Sequence, residues 1–190
     1  MNILFLTLYP ISNISERGIY TDLMREFNRH GHKIHIVIPA ERRFHLATGI
    51  KESEGVNILR VRTLNIQKTN LIEKGLGTLL LEYQYQRAIY KYWKDIKFDL
   101  ILYSTPPITF NRVVASVKKC CGAKTYLLLK DIFPQNAVDL GMFSKSSFIY
   151  KLFRKKEERL YRLSDYIGCM SPANVEYILR HNSLMTAEKV

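Results

Sequence analysis

The chain has 190 residues, 47% of them hydrophobic, enough for one domain to bury a continuous core without disulfides or metal. Lysine and arginine number 29 against 17 acidic residues, a formal charge of +12 that favours anionic partners and is silent about fold. The three cysteines (Cys120, Cys121 and Cys169) form neither a CxxC pair nor a regular disulfide framework, which predicts a reducing, cytoplasmic setting. No apolar run approaches the ~20 residues of a membrane-spanning helix, and Met1 to Leu8 lacks the basic start of a signal peptide.

In chain order, Asn2 to Leu8 (NILFLTL) is a continuous apolar run, as expected of a central strand buried on both faces of a parallel sheet. A helix is predicted from about Ser15 to His30, with Ile19, Leu23 and Phe27 on one face and Gly31 as a left-handed cap. Lys33 to Ile38 reads as the second strand, and the alternating Asn57 to Arg62 (NILRVR) as a shorter one nearer an edge of the sheet. Leu71 to Lys94 is helical, Phe98 to Tyr103 a buried strand, Ile108 to Lys119 a helix and Thr125 to Leu129 a buried strand. Phe148 to Leu163 is helical and Tyr166 to Met170 a last short strand. A helix with Pro172 at its first position then runs to about Leu179.

This alternation predicts an α/β fold: a Rossmann-like, doubly wound, mainly parallel sheet of six to seven strands, in a single domain without repeats. In such sheets ligands bind beyond the carboxyl ends of the strands. That rule selects the loops Tyr9 to Gly18, Pro39 to Ile50, Ser104 to Pro107 and Lys130 to Gly141 (KDIFPQNAVDLG).

No GxGxxG or GxxxxGK[ST] occurs, so ordinary NAD or ATP binding is not expected. Gly18 falls at a helix start, where it either leaves free N–H groups facing an anion or lets the helix pack closely on the sheet. Lys130 and Asp131 leave the sheet at its ligand-binding edge, placed for an orienting or catalytic carboxylate; the alternative is that Asp131 caps its own turn and pairs with Lys130. Gln135 and Asn136 either bind sugar hydroxyls or satisfy loop backbone. Ser104-Thr105-Pro106-Pro107 carries two rigid prolines that shape its loop. The five histidines show no metal-ligand spacing, and no metal is expected.

Lys151 to Arg162 (KLFRKKEERLYR) lies in a stretch with Ile149, Leu152, Phe153, Leu160 and Leu163 toward one side and six basic residues around the rest. Tyr83, Tyr85, Tyr90, Tyr92 and Trp93 add aromatic surface in the long helix. These faces either hold the protein against an anionic membrane or are ordinary solvated faces over a core. The charge also admits a basic α/β binding module without catalysis. No helix-turn-helix, RNP-like strand or glycine clamp supports nucleic acid as a partner.

Five stretches in order, NILFLTLYP, RGIYTDLMREFNRHGHKIHIVIP, FDLILYSTPP, LLLKDIFPQNAVDLGMF and ERLYRLSDYIGCMSPANVEYIL, cover nearly the whole chain. Together they resemble the N-terminal domain of family-4 retaining glycosyltransferases of the GT-B fold, especially the bacterial branch that builds surface polysaccharide and O-antigen. KDIFPQNAVDLG is the most specific: it looks like the family's Asp-Leu-Trp-Pro loop, with Ile132 and Phe133 as conservative replacements. The first helix departs from the family, keeping only Gly18, after Arg17, where many relatives carry a double glycine. The resemblance implies that residues 1–190 are the acceptor-side half of a GT-B architecture and that the donor-binding C-terminal domain lies outside them. It implies transfer of a hexose from a nucleoside diphosphate sugar, the donor substrate, to a lipid-diphosphate-linked saccharide, with no cofactor. Asp131 would orient the acceptor hydroxyl or ease its proton transfer, and Gly18, Thr105, Lys130 and Asn136 would line the acceptor side.

Overall fold

The computed structural model describes every residue except Lys68, Asn70 and Pro107, and of residues 71, 72, 74 and 75 the backbone alone. The second proline of the Pro106-Pro107 pair therefore lies outside the described residues. The strands are β1 (Asn2–Leu6), β2 (Lys33–Glu41), β3 (Gly49–Ser53), β4 (Val56–Thr63), β5 (Leu100–Ser104), β6 (Lys124–Leu129) and β7 (Tyr166–Cys169). The helices are α1 (Ile19–Arg29), α2 (Leu71–Trp93), α3 (Asn111–Cys121), α4 (Gln135–Asp139), α5 (Phe148–Leu163) and α6 (Pro172–His181).

The seven strands form one sheet in the order β3-β4-β2-β1-β5-β6-β7. All neighbours run parallel except β3 and β4. The expected α/β, Rossmann-like, mainly parallel sheet is thus the observed one. Because strand side chains alternate, β1 sends Ile3 and Phe5 to one face and Leu4 and Leu6 to the other, all fully buried. The first face is covered by α1 through Tyr20 and Met24. The second carries the larger core, where α2, α3, α5 and α6 contribute Leu81, Tyr85, Val113, Leu160 and Ile178.

β3 was not expected, because GIKES is almost wholly polar and leaves no periodic signal; it is an edge strand with an exposed centre. A two-residue turn joins it to β4, with Glu54 (φ 51°) and Gly55 (φ 78°) both left-handed, as the twist of a tight hairpin requires. β2 runs on through Pro39 to Glu41. Its pairing with β1 stops at Val37, so the proline faces no ladder partner there, while β4 pairs with the other side as far as Thr63.

The first helix begins at Ile19 rather than Ser15. Asn13 Oδ1 accepts from the Ser15 N–H (3.2 Å) and from the Ser53 hydroxyl (2.8 Å), stapling residues 13–15 to β3 as a turn that competes with helix. Ile19 is consequently exposed, and the buried face is Tyr20, Thr21 and Met24, with Leu23 and Phe27 at its margin. The far end closes as expected at Gly31 (φ 77°): its N–H donates to Asn28 O (2.9 Å) and that of His32 to Phe27 O (3.1 Å), a Schellman cap.

Asp165, between α5 and β7, accepts from the Thr125 N–H (2.9 Å), the Thr125 hydroxyl (2.8 Å) and the Lys118 ammonium (2.8 Å). Partial burial by itself pushes its pKa up, but the hydrogen bonds from Lys118 and Thr125 and the lysine's charge outweigh that and hold the carboxyl below its ordinary 3.8. A carboxyl depressed in the folded state stabilises it above the unfolded pKa, and that stabilisation disappears as pH falls through the folded value. Asp165→Asn is therefore expected to lower the thermal midpoint at neutral pH and to flatten its fall below pH 3.8. Melting curves across that range check it, and parallel acid limbs would contradict it.

Candidate functional site

The connections of β1 and β5 leave the sheet toward opposite faces, because α1 packs on one side and α2 and α3 on the other. This switch point opens a crevice at the carboxyl ends of the two strands. Its floor is sealed and polar: Thr7, Ser104 and Thr105 are each no more than 2% exposed. The Ser104 and Thr7 hydroxyls lie 3.5 Å apart. The Tyr85 hydroxyl, buried under the floor, donates to Thr7 O (2.9 Å) and ties α2 to the end of β1. Burial pushes that phenol well above its ordinary pKa, so it stays a donor.

Thr105 holds the rim. Its hydroxyl accepts from the Lys130 N–H (3.1 Å), while its own N–H donates to Leu128 O (3.1 Å), so the ends of β5 and β6 are clamped together. The Thr105 side chain faces the backbone of Lys130 rather than open solvent. Lys130 reaches across the crevice and sets its ammonium 4.7 Å above the Tyr20 ring, in the first turn of α1. Tyr20 is supported by Phe5 (5.1 Å between centroids) and Tyr9 (5.9 Å). A cation held over an aromatic face is placed without being neutralised.

Asp131 is exposed and has no hydrogen bond or salt bridge among the described residues. The alternative in which it caps its turn and pairs with Lys130 is not what the structure holds. Its carboxylate is free at the rim, next to a lysine committed to the opposite wall. Asn136 stands in α4 with its N–H bonded to Ile132 O (2.9 Å) and its Oδ1 buried without a partner. Such an orphaned acceptor is costly unless a ligand or water satisfies it. Gln135 donates to Asp139 (2.6 Å) and its Oε1 is likewise unpartnered.

Gly18 is the residue before α1, whose N-terminus has no side-chain cap. Its φ of 174° is extended backbone, open to any residue, and no sheet atom lies within 4 Å of where a Cβ would stand; the nearest atom is Thr21 Oγ1 at 3.2 Å. Close packing on the sheet is not the reason for this glycine, and the helix end beside Tyr20 is left bare.

The geometry therefore sets Lys130 and Asp131 on one rim above the buried Thr105, with Asn136 five residues on in α4 and the Tyr20 ring of α1 opposite. Thr7, Tyr9 and Tyr20 were missed. Their signal was position alone, at the end of β1 and in the first turn of α1, with no motif to mark them. A groove of about 380 Å³, lined by Tyr83, Tyr90, Trp93, Arg112 and Cys120 among others, lies between α2 and α3 at the other end of the sheet. Its lining is mainly aromatic and aliphatic, with Gln86, Arg87, Lys94, Arg112 and Ser116 as polar members; the crevice, at the carboxyl ends of the strands where the connections diverge, is the better site.

Two expectations about exposed faces need correction. Tyr85 and Trp93 are core residues rather than aromatic surface, while Tyr83 and Tyr90 are exposed. On α5, Ile149 and Leu152 face outward rather than joining Leu160 in the core.

No family model matches this chain. A probable glycosyltransferase of Pseudomonas aeruginosa, WbjE, is 26% identical over 98 residues, 52% of this chain and 24% of that protein. An E. coli trehalose-6-phosphate structure with bound UDP-2-fluoro glucose superposes with a TM-score of 0.61 at 7% identity, over 93% of this chain and 42% of that one. An α,α-trehalose-phosphate synthase (UDP-forming) from Burkholderia vietnamiensis gives 0.56 at 12% identity, over 95% and 43%. The chain thus spans about a quarter of the curated relative and about two fifths of the solved chains. At these identities the structural likeness establishes the fold: a Rossmann-like α/β sheet of the kind found in GT-B glycosyltransferases.

Proposed function

We propose that this chain is the acceptor-side Rossmann-like half of a family-4, retaining, GT-B glycosyltransferase. It would work in cell-surface polysaccharide assembly on the cytoplasmic side of a membrane. The reaction is transfer of a hexose from a nucleoside diphosphate sugar to a hydroxyl of a lipid-diphosphate-linked saccharide. The observation that carries this reading is the rim at the switch point, where an unpaired Asp131 carboxylate and the Lys130 ammonium, held over Tyr20, flank a polar crevice. WbjE's description as a probable glycosyltransferase and the UDP sugar bound in a fold neighbour support it.

Asp131 accepts a hydrogen bond from the acceptor hydroxyl, orienting it and easing loss of its proton as the new glycosidic bond forms. Lys130 and the uncapped start of α1 at Gly18 attract the acceptor's diphosphate. The orphaned Asn136 Oδ1 receives a sugar hydroxyl, and Thr105 acts through the backbone of Lys130. The nucleotide sugar is held mainly by a donor-binding half beyond these residues, where the departing diphosphate is stabilised electrostatically.

Incubated with nucleoside diphosphate hexoses and a lipid-diphosphate acceptor, the 190 residues alone are expected to give no transfer above a blank. Joined to a donor-binding half, they are expected to give transfer with retained anomeric configuration. Turnover by the 190 residues alone would overturn the division of labour.

A further inference from the structure

The groove between α2 and α3, at about 380 Å³, falls within the ~300–1,000 Å³ usual for small-molecule sites. Two of its lining residues fix its place: Phe98 precedes β5, and Cys121 ends α3 ahead of β6. It therefore opens at the amino ends of these strands, and the crevice at the carboxyl ends, so one can be filled without obstructing the other.

Its aromatic members divide by burial. Trp93 and Phe98 are buried, with ring centroids 6.2 Å apart and planes at 72°. Tyr83 and Tyr90, two helical turns apart on α2, are exposed by half or more, as rings are at a rim that a ligand would cover. The charge is one-sided. Arg87, Lys94 and Arg112 line the groove and no carboxylate does. None of the three forms a salt bridge among the described residues. Glu82, outside the lining, accepts from the Arg112 backbone N–H (2.7 Å) and leaves the guanidinium unpaired. Gln86 bridges the two helices, its Nε2 donating to Ser116 Oγ (2.9 Å), while its Oε1 is buried without a partner. A donor brought between the helices relieves that orphaned acceptor.

We propose that this groove is a second ligand site, for a small anion built on a flat aromatic ring system. Rings pack on ring faces and edges. Guanidinium planes both stack on rings and pair with carboxylate, sulfonate or phosphate oxygens. One molecule carrying both features meets both halves of the lining. An alkyl anion leaves the stacking unused, and an uncharged ring leaves three cations unmatched. The site is separate from the transferase chemistry, and its test needs no turnover.

The test is a titration of the ¹⁵N-labelled 190-residue chain with naphthalene sulfonate, with uncharged naphthalene methanol and ring-free octanesulfonate as controls. Trp93 is the only tryptophan in the chain, so a single indole N–H signal reports the groove. Naphthalene sulfonate is expected to shift that signal and the amides of Gln86 and Ser116 saturably, leaving Lys130 and Asp131 still. Naphthalene methanol is expected to bind about tenfold more weakly, and octanesulfonate about fivefold. The pair Arg87→Gln and Arg112→Gln is expected to weaken naphthalene sulfonate by about tenfold. Tyr90→Ala, at an exposed position, is expected to weaken it by about fivefold with unchanged circular dichroism. No saturable shift at Trp93, shifts gathered at the crevice rim, octanesulfonate binding as tightly as the aromatic sulfonate, or full affinity in the arginine pair would overturn the proposal. So would a dimer lost in Tyr90→Ala in a protein that ignores naphthalene sulfonate.

Discussion

Asp131→Asn is expected to reduce hexose transfer by about 10²- to 10⁴-fold in an enzyme containing these residues, the range for losing a positioned acid–base group. Stability is expected to change by less than about 0.5 kcal/mol, because the carboxylate is exposed and has no bonding partner among the described residues. The amide keeps the shape and a weaker acceptor but cannot take a proton. The loss should therefore appear in kcat, with a smaller change in KM for the acceptor. A structural role would instead lower the melting temperature and both kinetic constants together. Initial rates beside a thermal melt separate the two, and full activity in the variant would remove Asp131 from the chemistry.

Phe110→Ala is expected to cost about 3–5 kcal/mol of folding stability, the range for deleting a buried aromatic ring. Phe110 is fully buried at the start of α3 and stacks on Tyr85 at 5.6 Å. Tyr85 in turn holds the end of β1 through Thr7 O. The cavity would open where α2, α3 and the crevice floor meet, so the deficit should reach the site as well as the core. Urea unfolding measures it as a lower midpoint. A shift equivalent to less than about 1 kcal/mol would mean that neighbouring side chains collapse into the space, the behaviour of a tolerant site.

The fold was legible because its main signals are local. NILFLTL, FDLILY and TYLLL are apolar runs that only a doubly covered sheet accommodates, and Gly31 and Pro172 mark helix boundaries by backbone geometry alone. β3 was not legible, since its pairing rests on a turn at Glu54-Gly55 and on the free edge of β4, with almost no buried side chain of its own. The early start assigned to α1 failed for a related reason: the Asn13–Ser53 bond that ends the turn is a tertiary contact forty residues apart in sequence.

At the crevice, Lys130 and Asp131 were readable from their place after a buried strand. The partner of Lys130, the Tyr20 ring, was not, because a cation over a ring depends on how α1 is rotated against the sheet. The outward face of Ile149 and Leu152 was hidden for the same reason: helical spacing places residues on one side but does not say what covers that side.

The central claim is that this half of the site receives the acceptor. Its most direct measurement is a titration of the ¹⁵N-labelled 190-residue chain with a short-chain lipid-diphosphate-linked sugar and, separately, with a nucleoside diphosphate hexose. The account predicts that the lipid-linked sugar shifts the amides of Gly18, Tyr20, Thr105, Lys130, Asp131 and Asn136, and that the nucleotide sugar alone leaves them nearly still. Shifts by the nucleotide sugar at those amides with none from the lipid-linked one, or shifts confined to the groove between α2 and α3, would contradict it.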